Sequence, residues 1–338
     1  MTHLTYLEAG VVGLVQGITE MFPISSLGHN VLIPALVGGS WAQDLNVATP
    51  ESPYLAFIVG LHVATAIALV IYFWRDWVRI VGGFFSSIRH RRVQTTDQRL
   101  AWLIILATIP VGLVGLAFEH AFRVIFGKPV IAAVFLAVNG VILIAGERYR
   151  SKASLAADAA LREARARAAM PAAPTRPLHA VPAAAPAGLP ADPPRYERDD
   201  PDAGIQADRR LATMGYPRAL VIGSAQILAL LAGISRDGVA MVAGMARGLS
   251  REDAARFAFL LATPVILAAG VLKVPDLAGP LGAGIRGQIL FGSVLSGVGA
   301  YLSVRFLLRY LRTRTLTPFG VYCLIVGLAS VAFLTLAR

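Results

Sequence analysis

"VQGITEMFPISSLGHN", residues 15–30, decides how this chain is read. It gathers Gln16, Thr19, Glu20, Ser25, Ser26 and His29 around Pro23, inside an otherwise apolar N-terminal region. Each unsatisfied polar atom in hydrocarbon costs several kcal/mol, so a membrane segment keeps such groups only where something uses them. The surroundings are membrane-like. Of 338 residues 56% are hydrophobic and 15% charged, with a mean hydropathy of +0.64; soluble domains carry about 25% charged residues. An all-α integral membrane protein follows. The net charge of +11 does not point to nucleic acid, because no basic stripe is interleaved with aromatics. The single cysteine, Cys323, excludes an intrachain disulfide. Since no Lys or Arg precedes Arg75, no cleavable signal peptide with a basic leading region is expected.

Working outward, six apolar runs are long enough to span about 30 Å of hydrocarbon. They lie near 53–74, 100–118, 129–147, 255–272, 287–308 and 317–336. Regions 4–39 and 217–248 differ, each being interrupted at its middle by polar residues and helix breakers, "FPISSLGH" and "LAGISRDG". Their halves are too short to span, which predicts two re-entrant helical hairpins. Residues 148–216 form a non-membrane insert, Ala/Arg-rich and then Pro/Ala-rich, expected to be a disordered cytoplasmic linker. It separates a first membrane unit, 1–147, from a second, 217–338.

The two interrupted regions resemble each other. At a constant offset, Gly13 pairs with Gly223, Gln16 with Gln226, Ile24 with Ile234, Ser25 with Ser235 and Gly28 with Gly238. Each half then reads as one hairpin followed by three spans. Because three is odd, the second half starts from the opposite side, an inverted repeat. Charge agrees. Loop 40–52 has Asp44 and Glu51 and no Lys or Arg, whereas loop 75–99 carries Arg75, Arg79, Arg89, Arg91, Arg92 and Arg99. The positive-inside rule places the basic loops in the cytoplasm and both termini outside. Arg123, Lys128, Lys273 and Arg286 fall in loops expected outside, so the asymmetry is not absolute. Both hairpin tips are expected near the midplane, where such architectures bind substrate.

Taken singly, the polar residues have structural roles open to them. Ser and Thr bond a carbonyl one turn back, and His29 can close the hairpin turn. Glu20 and Arg236 demand more, since an ionisable residue inside a membrane segment is a functional hypothesis by default. They can pair merely to hold the tips together. Alternatively the set is a phosphate site: guanidinium to clamp oxyanions, hydroxyl to attack, imidazole to move a proton, carboxylate to orient a base or hold a metal.

"QGITEMFPISSLGH" resembles the first signature of the undecaprenyl-diphosphate phosphatase family of the bacitracin-resistance type, E-G-x-T-E-F-x-P-[IV]-S-S-T-G-H. "AGISRDG" with "GMARGLSREDAARFAFLLATPVILAAG" resembles its second, P-G-x-S-R-S-G and the helix after it. "LHVAT", "FWRDW" and "TIPVGLVGL" are similar to the intervening spans, and the insert 148–216 falls outside the resemblance. The resemblance implies removal of the terminal phosphate of undecaprenyl diphosphate at the outer face of the bacterial plasma membrane, recycling the lipid carrier for cell-wall synthesis. It implies Ser26 as nucleophile, His29 as its acid/base partner, Glu20 as a catalytic or metal-orienting carboxylate and Arg236 as diphosphate clamp. Ser25 and Ser235 would supply supporting hydrogen bonds, and a divalent cation, Mg or Ca, would assist. Three departures stand out. The family's first carboxylate is Gln16, its second-motif Pro is Ala232, and its second Ser is Asp237; Leu27 also replaces a Thr. Gln16 and Asp237 therefore join the expected substrate-binding set. The rival reading is a non-hydrolytic lipid-phosphate carrier, which the repeat and the missing carboxylate would also suit.

Overall fold

Thr5 opens the first helix. Its hydroxyl accepts from the Glu8 amide while the Glu8 carboxylate accepts from the Thr5 amide, a reciprocal capping box. From there the computed structural model describes residues 4–45, 53–126, 128–169, 203–279 and 284–336, and the regular structure among them is helical throughout. The helices are α1 (Tyr6–Met21), α2 (Ser26–Val37), α3 (Gly39–Asp44), α4 (Pro53–Tyr72), α5 (Trp74–His90), α6 (Thr96–Phe126) and α7 (Pro129–Ala169). They continue with α8 (Ala203–Ala212), α9 (Tyr216–Ala225), a 3-10 turn at Gln226–Leu230, α10 (Arg236–Ala246), α11 (Arg251–Ala278), α12 (Arg286–Thr313) and α13 (Thr317–Leu336).

Among the described residues, five stretches are long and apolar enough to cross a bilayer: Thr96–Phe118, Pro129–Lys152, Arg251–Val271, Arg286–Thr313 and Thr317–Leu336. The sixth expected span falls on α4, which continues into α5 through a bend of 86°. Residues 75–99, read from sequence as a loop, are thus largely helix. Their hydrophobic residues are too scattered for a spanning run, yet they line up on one side of a helix.

The core forms where small residues let helices touch. Gly13 and Gly17 of α1 lie against the backbone of Gly292 and Ser296 of α12, so closely that a Cβ on either would collide with a carbonyl oxygen. This is a small-xxx-small contact on both partners, the packing that lets helices associate without a hydrophobic driving force. α9 meets α6 in the same way, Gly223 on Ala107. The other main pairings are α7 with α13, α4 with α11 and α12, and α10 with α7 and α11.

The insert differs from the expectation. Helix α7 runs on to Ala169, and α8 docks on the body of the protein. Asp208 of α8 is fully buried and bonds both Arg79 (2.7 Å) and Arg256 (2.9 Å). Arg210 pairs with Asp253 (2.6 Å), and Arg256 also reaches Asp76 (2.9 Å) and stacks over Phe73. The ends of the segment 148–216 are therefore ordered; its Pro/Ala-rich middle, 170–202, lies outside the described residues, as do residues 46–52.

Candidate active site

Pro23 and Gly233 mark two helix breaks, and the breaks meet. A methyl added to Gly28 would stand 3.0 Å from the Gly233 Cα, and Gly233 itself has φ +110°, a conformation that favours glycine. After each break a serine starts the next helix. Ser25 caps α2 by accepting from the Gly28 amide (3.2 Å), and Ser235 caps α10 by accepting from the Gly238 amide (3.1 Å). Two helix N-termini, each carrying the positive end of its dipole, thereby lie close together. Ser25 adopts φ 67°, ψ 100°, which costs a non-glycine residue about 1–3 kcal/mol, and such strain clusters at functional sites.

Glu20 is the hub. Its Oε1 accepts from Arg236 Nη2 at 2.5 Å, across 216 residues of sequence. Its Oε2 accepts from the Ser26 hydroxyl and, at 3.1 Å, from the Gln16 side-chain amide. Gln16 in turn accepts from Asn30 (2.6 Å). Sequence reasoning thus placed Glu20, Ser26, Gln16 and Arg236 correctly as one cluster. It missed His62 on α4, whose Nε2 lies 3.5 Å from the same Glu20 Oε2. The Ile58 carbonyl, 2.9 Å from His62 Nδ1, can only accept, so it fixes a proton on Nδ1 and leaves Nε2 facing the carboxylate. A lone histidine within the "LHVAT" span was the available signal.

His29 is arranged differently. It sits one turn after Ser26, but its Nδ1 donates to the Ser25 carbonyl (2.7 Å) and its Nε2 accepts from the Tyr322 hydroxyl (2.8 Å), with the two rings stacked. Both ring nitrogens are taken by groups other than the Ser26 hydroxyl. Tyr322 of α13 was missed from sequence, as was Asn139 of α7. Asn139 donates to the Pro23 carbonyl (2.9 Å) and accepts from the Ser235 amide (3.0 Å), tying the two breaks together through one side chain. Asp237 is buried, 3.5 Å from Arg236 Nε, and neither of its oxygens has a hydrogen-bond partner among the described residues. It does not cap α10; Ser235 does. Arg236 therefore stands between two carboxylates.

The donor set does not fit a resident divalent cation. Such ions take six or more oxygens, whereas both Glu20 oxygens are already committed and a guanidinium occupies the cation's place. No group of three His, Cys, Asp or Glu side chains gathers for a metal among the described residues.

Comparison with known proteins gives one consistent answer. The family described as bacitracin resistance protein BacA matches residues 9–170 and 195–329, so its likeness reaches further into the insert than the motifs alone indicate. The chain is 58% identical over 334 residues to the undecaprenyl-diphosphatase of Mycolicibacterium paratuberculosis, covering 99% of both chains. It is 57% identical to that of Mycobacterium avium over 99% of both, and 54% identical to undecaprenyl-diphosphatase 2 of Frankia alni over 97% of both. With both helix breaks and four of the five spans wholly inside the match, and most of the fifth, the chain belongs to the bacitracin resistance protein BacA family.

Proposed function

We propose that this protein is a multi-pass membrane phosphatase that hydrolyses undecaprenyl diphosphate to undecaprenyl phosphate and inorganic phosphate. One observation carries the reading: a serine hydroxyl and a carboxylate flanking the first helix break meet a guanidinium from the second, where two helix N-termini come together. That is a site built for an anion and furnished with a nucleophile.

In this reading the terminal phosphoryl group lies between the starts of α2 and α10, clamped by Arg236. The cap hydroxyls of Ser25 and Ser235 accept from backbone and retain their own protons to donate to phosphate oxygens. Ser26 Oγ attacks phosphorus while its proton passes to Glu20 Oε2, its present hydrogen-bond partner. The bridging P–O bond breaks and undecaprenyl phosphate leaves. Water then attacks the phosphoserine and gives a proton to His29, the Ser–O–P bond breaks, Ser26 Oγ takes back the proton held on Glu20, and phosphate departs. His29 serves this second step through Nε2, once a water or phosphate oxygen replaces the Tyr322 hydroxyl. His62 shares the proton held on Glu20. A divalent cation, if one accompanied the diphosphate, would be held chiefly by the substrate's phosphates and would offset their charge.

For the architecture we read the two helix breaks as re-entrant hairpins of an inverted repeat. The packing supports this through its reciprocity: α1 packs on α12 as α9 packs on α6, and α2 meets α13 as α10 meets α7. Basic loops lie in the cytoplasm, and the site opens to the outer face. Carriers share this type of repeat, so the test must separate chemistry from transport. Purified protein in detergent is given undecaprenyl diphosphate and phosphate release is measured. Release by the native protein and its loss in Ser26→Ala is the expected result. Lipid movement across vesicles without phosphate release would replace the phosphatase with a carrier.

A further inference from the structure

Helix α5 carries three faces, and one of them is largely exposed among the described residues. Trp74, Val78, Val81, Phe85 and Ile88 recur at spacings of four and three, so they form one stripe, and they are 45–65% exposed. The opposite side is the packed one. Ile80 is buried, Phe84 lies against Trp102 of α6, and the Ser87 hydroxyl accepts from Trp102 Nε1 (3.0 Å). Gly83 touches the backbone of Asp97 and Gln98 so closely that no side chain would fit. The third face is polar, with Arg75, Gly82, Ser86, Arg89 and His90, and Arg91 and Arg92 follow at the C-terminal end. A cavity of about 460 Å³ opens there, lined by Ser86, His90, Arg92, Gln94 and Gln98.

We propose that α5 lies flat in the membrane interface on the basic side of the protein and binds anionic phospholipid. The 86° bend from α4 supplies the orientation: if α4 crosses the bilayer, α5 runs in its plane. The exposed stripe then faces the acyl chains and the basic face meets headgroups, the arrangement of an interfacial amphipathic helix, whose apolar side reaches roughly 5–10 Å into the headgroup–acyl boundary. Charge selects the occupant. Arg75, Arg89, Arg91 and Arg92 have no acidic partner within ion-pair range among the described residues, whereas Arg79 on the same helix turns inward to Asp76, Asp97 and Asp208. Each unpaired basic residue near an anionic leaflet strengthens the attraction to it. Lipid contact along α5 is independent of the chemistry at Glu20.

The test uses the full chain in proteoliposomes with Cys323 replaced by Ala and a nitroxide label at Val78, Phe85 or Ser86. Labels at 78 and 85 should collide with oxygen and be shielded from a water-soluble nickel chelate; the label at 86 should show the reverse. The label at 85 should sit deeper in phosphatidylglycerol vesicles than in phosphatidylcholine, and the triple variant R89Q/R91Q/R92Q should abolish that difference. Chelate access at 78 and 85 would overturn the interfacial placement. Shielding from both colliders would overturn it too, and give the stripe to a second copy of the chain. Equal depth in both lipids for the native sequence would overturn the anionic specificity. Circular dichroism of each labelled variant establishes that the helices are intact.

Discussion

Glu20 accepts from three residues at once, and each contact makes a separate claim. Arg236→Lys keeps the charge and loses the planar fork that fits phosphate. Losing one charged hydrogen bond costs about 1.5–3 kcal/mol, which is roughly a ten- to hundredfold fall in kcat/KM for phosphate release. Near-native turnover by the Lys variant would remove the clamp. His62→Gln keeps a polar side chain and cannot hold a second proton. It should lower kcat by about a hundredfold, the lower end of general acid–base effects, with KM little changed. An unchanged kcat would leave His62 as packing. The exchanged acids can be tested together. Gln16 lies on one side of Glu20 and Asp237 lies behind Arg236, so both carboxylate positions flank the same guanidinium–carboxylate pair. Asp237→Ser should impair phosphate release, and adding Gln16→Glu should restore much of it. Equal activities of the single and double variants would leave Asp237 as a local counter-ion of Arg236.

At the scale of the element, α8 is the surprise, because a ten-residue helix at the end of a low-complexity segment holds a buried acid between two arginines. Removing one partner of a buried ion pair typically costs 3–5 kcal/mol. Arg79 stays 28% exposed, so about 3 kcal/mol is the appropriate end of that range for Asp208→Ala. The expected outcome is a clearly lower melting temperature in detergent, measured by scanning fluorimetry. Deleting residues 160–200 and bridging the ends with a flexible linker should, in contrast, leave phosphate release largely intact. Extending the deletion through Ala212 should lower stability as Asp208→Ala does, because Arg79 and Arg256 lose the same partner. A shorter deletion as damaging as the longer one would assign the missing segment a role that its composition does not suggest.

At the scale of the whole molecule, the inverted repeat makes a claim about sidedness. With Cys323 replaced, single cysteines at Gln43 and Arg314 should react with an impermeant maleimide from opposite sides of the cell membrane, Gln43 from outside and Arg314 only after permeabilisation. Both positions are exposed, so failure to label would not come from burial. Labelling from the same side would sink the topology and the repeat with it.

Sequence alone determined the membrane class, the positions of the spans and the two breaks, because hydrocarbon admits only long apolar helices and tolerates broken backbone only where protein covers it. It also singled out Glu20, Ser26, His29 and Arg236 as candidates, since two ionisable groups in membrane segments need partners. The tertiary structure decided which of them touch. His29 is one turn from Ser26 in sequence, yet its ring is held by Ser25 and by Tyr322, almost 300 residues away. His62 and Asn139 come to the site from separate spans, and a single polar residue in an apolar run carries no sign of what it will face. Helix α5 escaped a hydropathy reading because its apolar residues occupy one side only. The order of α8 depends on Asp208 finding Arg79 and Arg256, two cations that lie 129 and 48 residues away along the chain. Local pattern specifies elements; long-range pairing, set by how the helices pack, specifies the site.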